Sequence, residues 1–264
     1  EIQHPSVRAT LAWAGCENGL EIHHDGDLPA RSGLGSSSSF TVGLVHALSA
    51  LEGKYMSKED LAGNSIHIEQ NIIKESVGSQ DQISAAFGGF NRIEFKVNDT
   101  FQVSPITLPK DRLQELQSHL MLFFTGVTRF ASEIAKDKIK NLESRESELK
   151  CMGQMVDESI NILRDNNTPI GDFGKLLHES WLYKRKLSDK VSTPKIDAIF
   201  EEAMSAGATG GKLLGAGGGG FVLLFVRPEV QAQVREKLKH LILVPFNFDY
   251  FGSRVMHYQP DGLV

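Results

Sequence analysis

Residues 33–40 read GLGSSSSF, and this stretch decides how the rest of the chain is interpreted. Its glycines and serines resemble a flexible linker, yet an apolar run, FTVGLVHAL, begins at Phe40. Glycine lets a ligand approach the backbone closely. A helix start adds unpaired N–H groups and a partial positive charge. The stretch therefore fits either a phosphate-binding loop before a helix or a plain loop with a serine N-cap.

A second glycine cluster, GAGGGG at residues 215–220, lies between two apolar segments that predict strands. Consecutive glycines lose much conformational entropy on folding. They are easier to explain if the backbone passes close to a ligand or to the first loop, and the alternative is a loose hairpin turn. The serine stretch at 33–40 is not a Walker A motif, because no Gly-Lys-Ser/Thr follows its glycines.

The composition is that of an ordinary globular protein, with 264 residues, 41% hydrophobic and 23% charged. A net charge of -5 gives no basic footprint, so we expect no nucleic-acid partner. The only cysteines, Cys16 and Cys151, form neither a disulfide framework nor a metal-ligand pattern. No apolar run reaches the roughly 18 residues that span a membrane. We therefore expect a cytoplasmic protein without a membrane partner, and the sequence is compatible with a homodimer.

The apolar pattern predicts an α+β protein in two parts, 1–115 and 116–264. The expected helices cover about 5–15, 40–51, 57–75, 130–165, 172–188, 194–207 and 228–240. The expected strands are 21–28, 92–97, 101–106, 120–126, the two flanks of the second glycine cluster and two weak strands in the tail. Ser57 and Thr193 are expected to cap their helices, with Pro194 at the first position of the second one.

Two carboxylates, Glu69 and Asp81, are candidate functional residues. Glu69 falls on the apolar face of its predicted helix, in one stripe with Ala62, Ile66 and Ile73. A buried carboxylate is costly unless it is paired or bound to a metal. Glu69 is therefore either the partner of an Arg or Lys at the core edge or a Mg²⁺ ligand near the serine loop. Asp81, in the predicted polar loop 77–82, is on its own an ordinary loop aspartate.

The two glycine motifs together resemble the GHMP small-molecule kinases. LPARSGLGSSSSF, residues 28–40, resembles the second family motif, and KLLGAGGGGF, residues 212–221, resembles the third, in the right order. The resemblance implies a two-domain fold, with a ribosomal-protein-like N-terminal domain and a ferredoxin-like C-terminal domain. The first family motif has no counterpart after Glu1, so we expect the first strands of the N-terminal domain to be missing from this sequence.

The resemblance also implies ATP and Mg²⁺ as cofactors. Ser37 and Glu69 would hold the metal, and Asp81 would be the catalytic base for the acceptor hydroxyl. The residues implied for ATP binding are Gly33, Leu34, Gly35, Ser36, Ser37, Ser38, Gly215, Ala216, Gly217 and Gly218.

The strings GSQDQ and AAFGG, at 78–82 and 85–89, look most like the family members that phosphorylate O1 of D-glycero-D-manno-heptose 7-phosphate. The alternatives are a fucokinase- or galactokinase-like enzyme, a catalytically inactive nucleotide-binding regulator, and a lyase of the diphosphomevalonate decarboxylase kind. A phosphorylated sugar needs cations to hold its phosphate, although the basic run Lys184, Arg185 and Lys186 also fits a solvated helix face. The expected substrate-binding residues are Gln80, Gly126, Arg129, Lys184 and Lys186.

Overall fold

A computed structural model describes residues 2–27, 33–127 and 131–259. The chain divides into two compact units. The first consists of Glu1–Ala30, Gly35–Pro105 and Asp249–Val264, and the second of Arg31–Leu34 and Ile106–Phe248. The boundary expected at 115/116 falls inside a helix, Lys110–His119, that belongs wholly to the second unit. The α+β class is confirmed, since helices accompany two separate antiparallel sheets.

The first unit is a group of helices with one β-hairpin. Ser57 caps its helix as predicted, because its side chain accepts the Asp60 N–H at 3.0 Å. The same helix continues through a π-turn at Ile68–Ile72, which carries Glu69. The elements are α1 (Pro5–Ala14), α2 (Ser36–Leu51), α3 (Lys58–His67), α4 (Gln80–Phe87), β1 (Asn91–Phe95) and β2 (Phe101–Pro105).

The core of this unit lies between α2, α3 and α4, so the elements that carry both carboxylates are packed together. Its buried residues are Ala9, Val42, Val45, Leu61, Ala62, Ile68, Ile83 and Ala86.

The C-terminal segment returns to the first unit and crosses the end of α4. Its Gly252 lies so close to Gly88 that a Cβ built on Gly88 would be 2.1 Å from the Gly252 nitrogen. Lys58 joins the two segments, because its Nζ donates to the carbonyls of Phe87 at 2.6 Å and of Phe251 at 2.9 Å. The last described residues are therefore part of the packing of the first unit.

The second unit is an antiparallel sheet with helices, and its strand order is β4-β5-β3-β6. Its elements are α5 (Lys110–His119), β3 (Leu120–Phe124), α6 (Ala131–Asn141), α7 (Glu146–Arg164), α8 (Gly171–Arg185), α9 (Pro194–Ser205), β4 (Gly210–Leu213), β5 (Phe221–Phe225), α10 (Gln231–Lys237) and β6 (Ile242–Val244). From β3 onward, the strands follow the β-α-β-β-α-β pattern of a ferredoxin-like sandwich, with four helices, α6 to α9, in place of the first one. Thr193 caps α9 as predicted, accepting the Ile196 N–H at 3.3 Å.

Helix α8 packs backbone to backbone on the sheet. A Cβ on Gly210 in β4 would lie 2.0 Å from the carbonyl oxygen of Gly174 in α8. A Cβ on Gly174 would lie 2.5 Å from Cδ1 of Phe225 in β5. Glycine is needed at both positions because no side chain fits between helix and sheet.

Three expectations about local structure were wrong. Residues 21–27 form no strand, because no strand among the described residues pairs with them. The expected loop at 77–82 becomes helical from Gln80 onward. In the tail only Ile242–Val244 is a strand. Within the described residues, no helix is long and apolar enough to cross a membrane.

Candidate active site

The start of α2 is built as an anion site requires. Gly35 is its N-cap, with φ 69° and ψ 22°, a left-handed conformation that favours glycine. Gly35 has no side chain to cap the helix, and the first bond of α2 runs from the Ser39 N–H to the Gly35 carbonyl at 2.8 Å. The N–H groups of the first turn therefore stay available to a bound anion.

Glu69 is buried, with 1% of its surface exposed. Its Oε2 accepts hydrogen bonds from Ser38 Oγ, at 2.9 Å, and from Gln82 Nε2. Its Oε1 has no hydrogen-bond partner among the described residues. Burial raises the pKa of Glu69, while the nearby hydroxyls of Thr41 and Ser38 and the Gln82 amide act in the opposite direction. No Arg or Lys of the described chain pairs with it, so the orphaned oxygen fits a cation.

The serine that meets Glu69 is Ser38, one residue after the expected Ser37. Ser38 is buried, whereas Ser37 is exposed on α2. Because successive helical residues point about 100° apart, Ser37 and Ser38 do not both face Glu69. The role of Ser37 as a metal ligand stays a prediction.

Asp81 lies in the first turn of α4 rather than in a loop. A Cβ built on Gly35 would be 3.0 Å from the Cβ and Cγ of Asp81 and 3.1 Å from its Oδ2. The Asp81 carboxyl is open to solvent on one side, but partial desolvation by the surrounding protein raises its pKa. It makes no hydrogen bond or ion pair with the described residues, so the carboxylate is free to accept a proton.

Sequence reasoning missed Gln82, which donates a hydrogen bond to the Glu69 carboxylate. It follows Asp81 in α4, but its side chain is fully buried and bonds to Glu69. The available signal was helical periodicity, because a helix beginning near Ser79 places Gln82, Ile83 and Ala86 on one face. Gln80, expected to bind substrate, is exposed as the first residue of α4.

In the second unit the two glycine segments touch. Gly215 has φ +64°, and a Cβ there would lie 2.6 Å from the Gly33 carbonyl oxygen. A Cβ on Gly217 would lie 2.9 Å from the Val191 carbonyl oxygen, which also accepts the Gly218 N–H at 2.9 Å. The cluster is thus a turn between β4 and β5 whose backbone passes against the start of the first glycine loop.

The expected phosphate-binding cations are distributed differently. Arg129 lies outside the described residues. Lys186 is exposed, with its Nζ 4.7 Å from the centre of the Tyr183 ring. Lys184 is buried and donates to the carbonyls of Leu213 and Gly215, each at 2.7 Å. Its ammonium therefore supports the glycine turn and does not point freely into solvent. Gly126 is exposed, with φ 69° and open space around it.

The donor set fits Mg²⁺ only together with phosphate. The described residues hold no group of three or more His, Cys, Asp or Glu able to bind a metal. Mg²⁺ is commonly held by one or two carboxylates plus substrate phosphates and water. Glu69, with its orphaned oxygen and a neighbouring serine hydroxyl, matches that smaller requirement.

Comparison with known proteins identifies the family of the chain. Residues 6–89 match the model of the GHMP kinases N terminal domain, and residues 139–242 match that of the GHMP kinases C terminal domain. The D-glycero-alpha-D-manno-heptose 7-phosphate kinase of Campylobacter jejuni is 33% identical over 79% of this chain. That match covers 62% of the relative, so the present chain spans less than two thirds of its length.

Two further proteins show the same likeness. The bifunctional fucokinase/GDP-fucose pyrophosphorylase of Arabidopsis thaliana is 27% identical over 84% of this chain and 21% of its own length. The crystal structure of a D-glycero-D-manno-heptose 1-phosphate kinase from Bacteroides thetaiotaomicron is 28% identical, with a TM-score of 0.70. The matched region covers 96% of the present chain and 74% of the solved chain.

Proposed function

Because the chain belongs to the GHMP kinase family, we propose that the full-length protein transfers the γ-phosphoryl group of ATP to O1 of D-glycero-D-manno-heptose 7-phosphate. The observation that carries this proposal is the carboxyl of Asp81, 3.1 Å from where a Cβ of Gly35 would stand, at the N-terminus of the serine helix. A proton acceptor is thus close to the donors suited to a phosphate. The heptose is favoured by the name of the Campylobacter relative.

In the proposed reaction, the N–H groups at the start of α2 hold phosphate oxygens. Asp81 accepts the proton of the sugar O1 hydroxyl as the new O–P bond forms and the bond between the γ-phosphorus and the ADP oxygen breaks. A positioned general base of this kind contributes about 10²- to 10⁴-fold. A raised pKa makes Asp81 a better proton acceptor while leaving room for it to be ionised.

Glu69 would hold Mg²⁺ with a serine hydroxyl, that of Ser38 in the observed geometry or that of Ser37 by family resemblance. When bound, the metal neutralises charge on the phosphate oxygens. Gln82 keeps the Glu69 carboxylate in place through its amide. Since Gln82 adjoins Asp81 on α4, one short helix would position both the base and the metal ligand.

The test is ADP release by the full-length protein with Mg²⁺-ATP and, separately, the heptose 7-phosphate, fucose, galactose and mevalonate. We expect turnover on the heptose and a new anomeric phosphate in the phosphorus NMR spectrum. Turnover on fucose or galactose alone would keep the kinase assignment but reject the heptose as substrate. Fucose is the second candidate, because the Arabidopsis relative is named a fucokinase. ATP binding without turnover on any acceptor would favour the inactive regulator.

The role of Asp81 is tested by Asp81→Asn, with Asp99→Asn in the exposed β1–β2 turn as the matched control. We expect Asp81→Asn to bind ATP normally and to lose about 10²- to 10⁴-fold in kcat. Asp99→Asn should match the wild type. Normal kcat in Asp81→Asn would remove it as the base.

A further inference from the structure

Two lysines of the second unit lie beside the glycine turn: Lys184 on α8 donates to Gly215, and Lys212 is the neighbour of Leu213 in β4. A third, Lys138 on α6, is close enough for its charge to act on both. None of the three forms an ion pair within the described part of the chain. Other lysines there do, such as Lys175 and Lys190. Among the side chains that the structure describes, these three cations therefore have no carboxylate paired with them.

Two of these ammonium groups are held in place by neutral partners. Lys184, with 7% of its surface exposed, donates to the Leu213 and Gly215 carbonyls at 2.7 Å each. Lys212, next to Leu213 in β4, donates to Ser180 Oγ at 2.7 Å. Carbonyls and a hydroxyl satisfy hydrogen bonds but bring no countercharge. Such geometry fixes the lysines at one end of β4 and leaves their charge unbalanced.

The three charges also act on one another. Burial lowers the pKa of Lys184 well below its usual range, and the charges of Lys212 and Lys138 lower it further. Burial, and then the charge of Lys138, lowers the pKa of Lys212. Desolvated cations that repel each other are stabilised either by losing a proton or by binding an anion.

We infer that Lys138, Lys184 and Lys212 form a binding site for a phosphoryl group, beside Gly215. The inference rests on the proposed function, which supplies two sources of that group: the 7-phosphate of the acceptor sugar and the phosphates of ATP. Lysines bind phosphate as point charges, and a dianionic phosphate balances most of the charge of three of them. Lys138 and Lys212 thereby gain a role that the glycine and serine motifs do not give them.

The experiment measures binding to the full-length protein by calorimetry, without turnover. The probes are inorganic phosphate, the heptose 7-phosphate in the absence of ATP, and ATP in the absence of sugar. The variants are Lys138→Gln and Lys212→Gln, and the control is Lys136→Gln, an exposed lysine on α6. Melting curves verify that each variant is folded, and Lys138, being only partly buried, keeps the test available if Lys212→Gln does not fold.

We expect both variants to weaken phosphate binding at least about tenfold, as loss of a charged hydrogen-bonding partner does, and Lys136→Gln to leave it unchanged. Weaker heptose 7-phosphate binding with normal ATP binding assigns the site to the acceptor. The reverse pattern assigns it to the nucleotide. Unchanged affinity for all three probes in folded variants overturns the inference.

These outcomes are separable from the proposed reaction. Lysine-dependent phosphate binding in a protein that does not phosphorylate the heptose would keep the anion site and reject the reaction. Normal turnover of the heptose 7-phosphate, with unchanged KM for both substrates in the variants, would keep the reaction and reject the anion site.

Discussion

Replacing Gly35 with alanine tests the contact on which the proposed chemistry depends. The new Cβ would stand 3.0 Å from the Cβ and Cγ of Asp81 and 3.1 Å from its Oδ2. Ordinary van der Waals contacts begin near 3.4 Å. Asp81 must therefore move by several tenths of an ångström, and because the clash involves its Cβ, rotation of the carboxylate alone does not relieve it.

Two costs follow, and they can be separated. At φ 69° alanine is strained, which costs about 1–2 kcal/mol of stability, or about 2–8 °C in melting temperature. Gly15→Ala pays the same backbone cost at φ 64°, where nothing lies within 4 Å of a new Cβ. Only Gly35→Ala also displaces Asp81. Since a 1 Å misplacement costs about 10²-fold in rate, we expect a roughly tenfold loss in kcat.

The assay combines melting curves with steady-state kinetics on the two alanine variants and on Asp81→Asn with and without Gly35→Ala. If the loss arises from displacing Asp81, Gly35→Ala should reduce kcat little further once Asp81 is asparagine. The reasoning would be refuted if Gly35→Ala and Gly15→Ala had equal melting temperatures and Gly35→Ala kept the wild-type kcat. Fully additive losses in the double variant would also refute it.

Three further predictions concern stability. In metal-free protein the pKa of Glu69 is higher in the folded state than in the unfolded state, so protonation of Glu69 stabilises the fold. This stabilisation is complete below pH about 4.5 and is lost as pH rises through the raised folded pKa, at about 1.4 kcal/mol per unit of pKa difference. In urea unfolding at several pH values, Glu69→Gln should abolish this pH dependence. Gly210→Ala should lose about 3 kcal/mol or fail to fold, because its Cβ would meet the Gly174 carbonyl at 2.0 Å; wild-type unfolding in urea would contradict this. Lys58→Met should speed hydrogen exchange around Phe251, whose carbonyl it holds; unchanged exchange there would show that the tail needs no such tie.

Much of the fold could be predicted because its signals are local. The caps at Ser57 and Thr193 and the apolar run of β5 depend on neighbouring residues alone. Residues 21–27 were expected to form a strand, but a strand also needs a partner, which no local pattern supplies. The helix at Gln80 was missed because a polar, glycine-containing string conceals a buried face of only Gln82, Ile83 and Ala86.

The candidate site could be predicted less completely than the fold. The sequence indicated Glu69 on an apolar face, and it is buried. Choosing between Ser37 and Ser38 requires the helix phase to within one residue, which a run of four serines does not provide. Lys184 was expected to bind the substrate phosphate or to lie on a solvated helix face, whereas it is buried against the carbonyls of Leu213 and Gly215, which are distant in sequence.

The return of the C-terminal segment to the first unit has a consequence for synthesis. The first unit is interrupted by residues 106–248 and is completed by the segment that begins at Asp249. Domains usually fold from the N-terminus as they leave the ribosome. Here Gly252 reaches its place against Gly88 only after the whole second unit has been translated. The packing at the end of α4 is therefore completed only when the segment from Asp249 has been made, and a nascent chain released near residue 248 would leave the first unit incomplete.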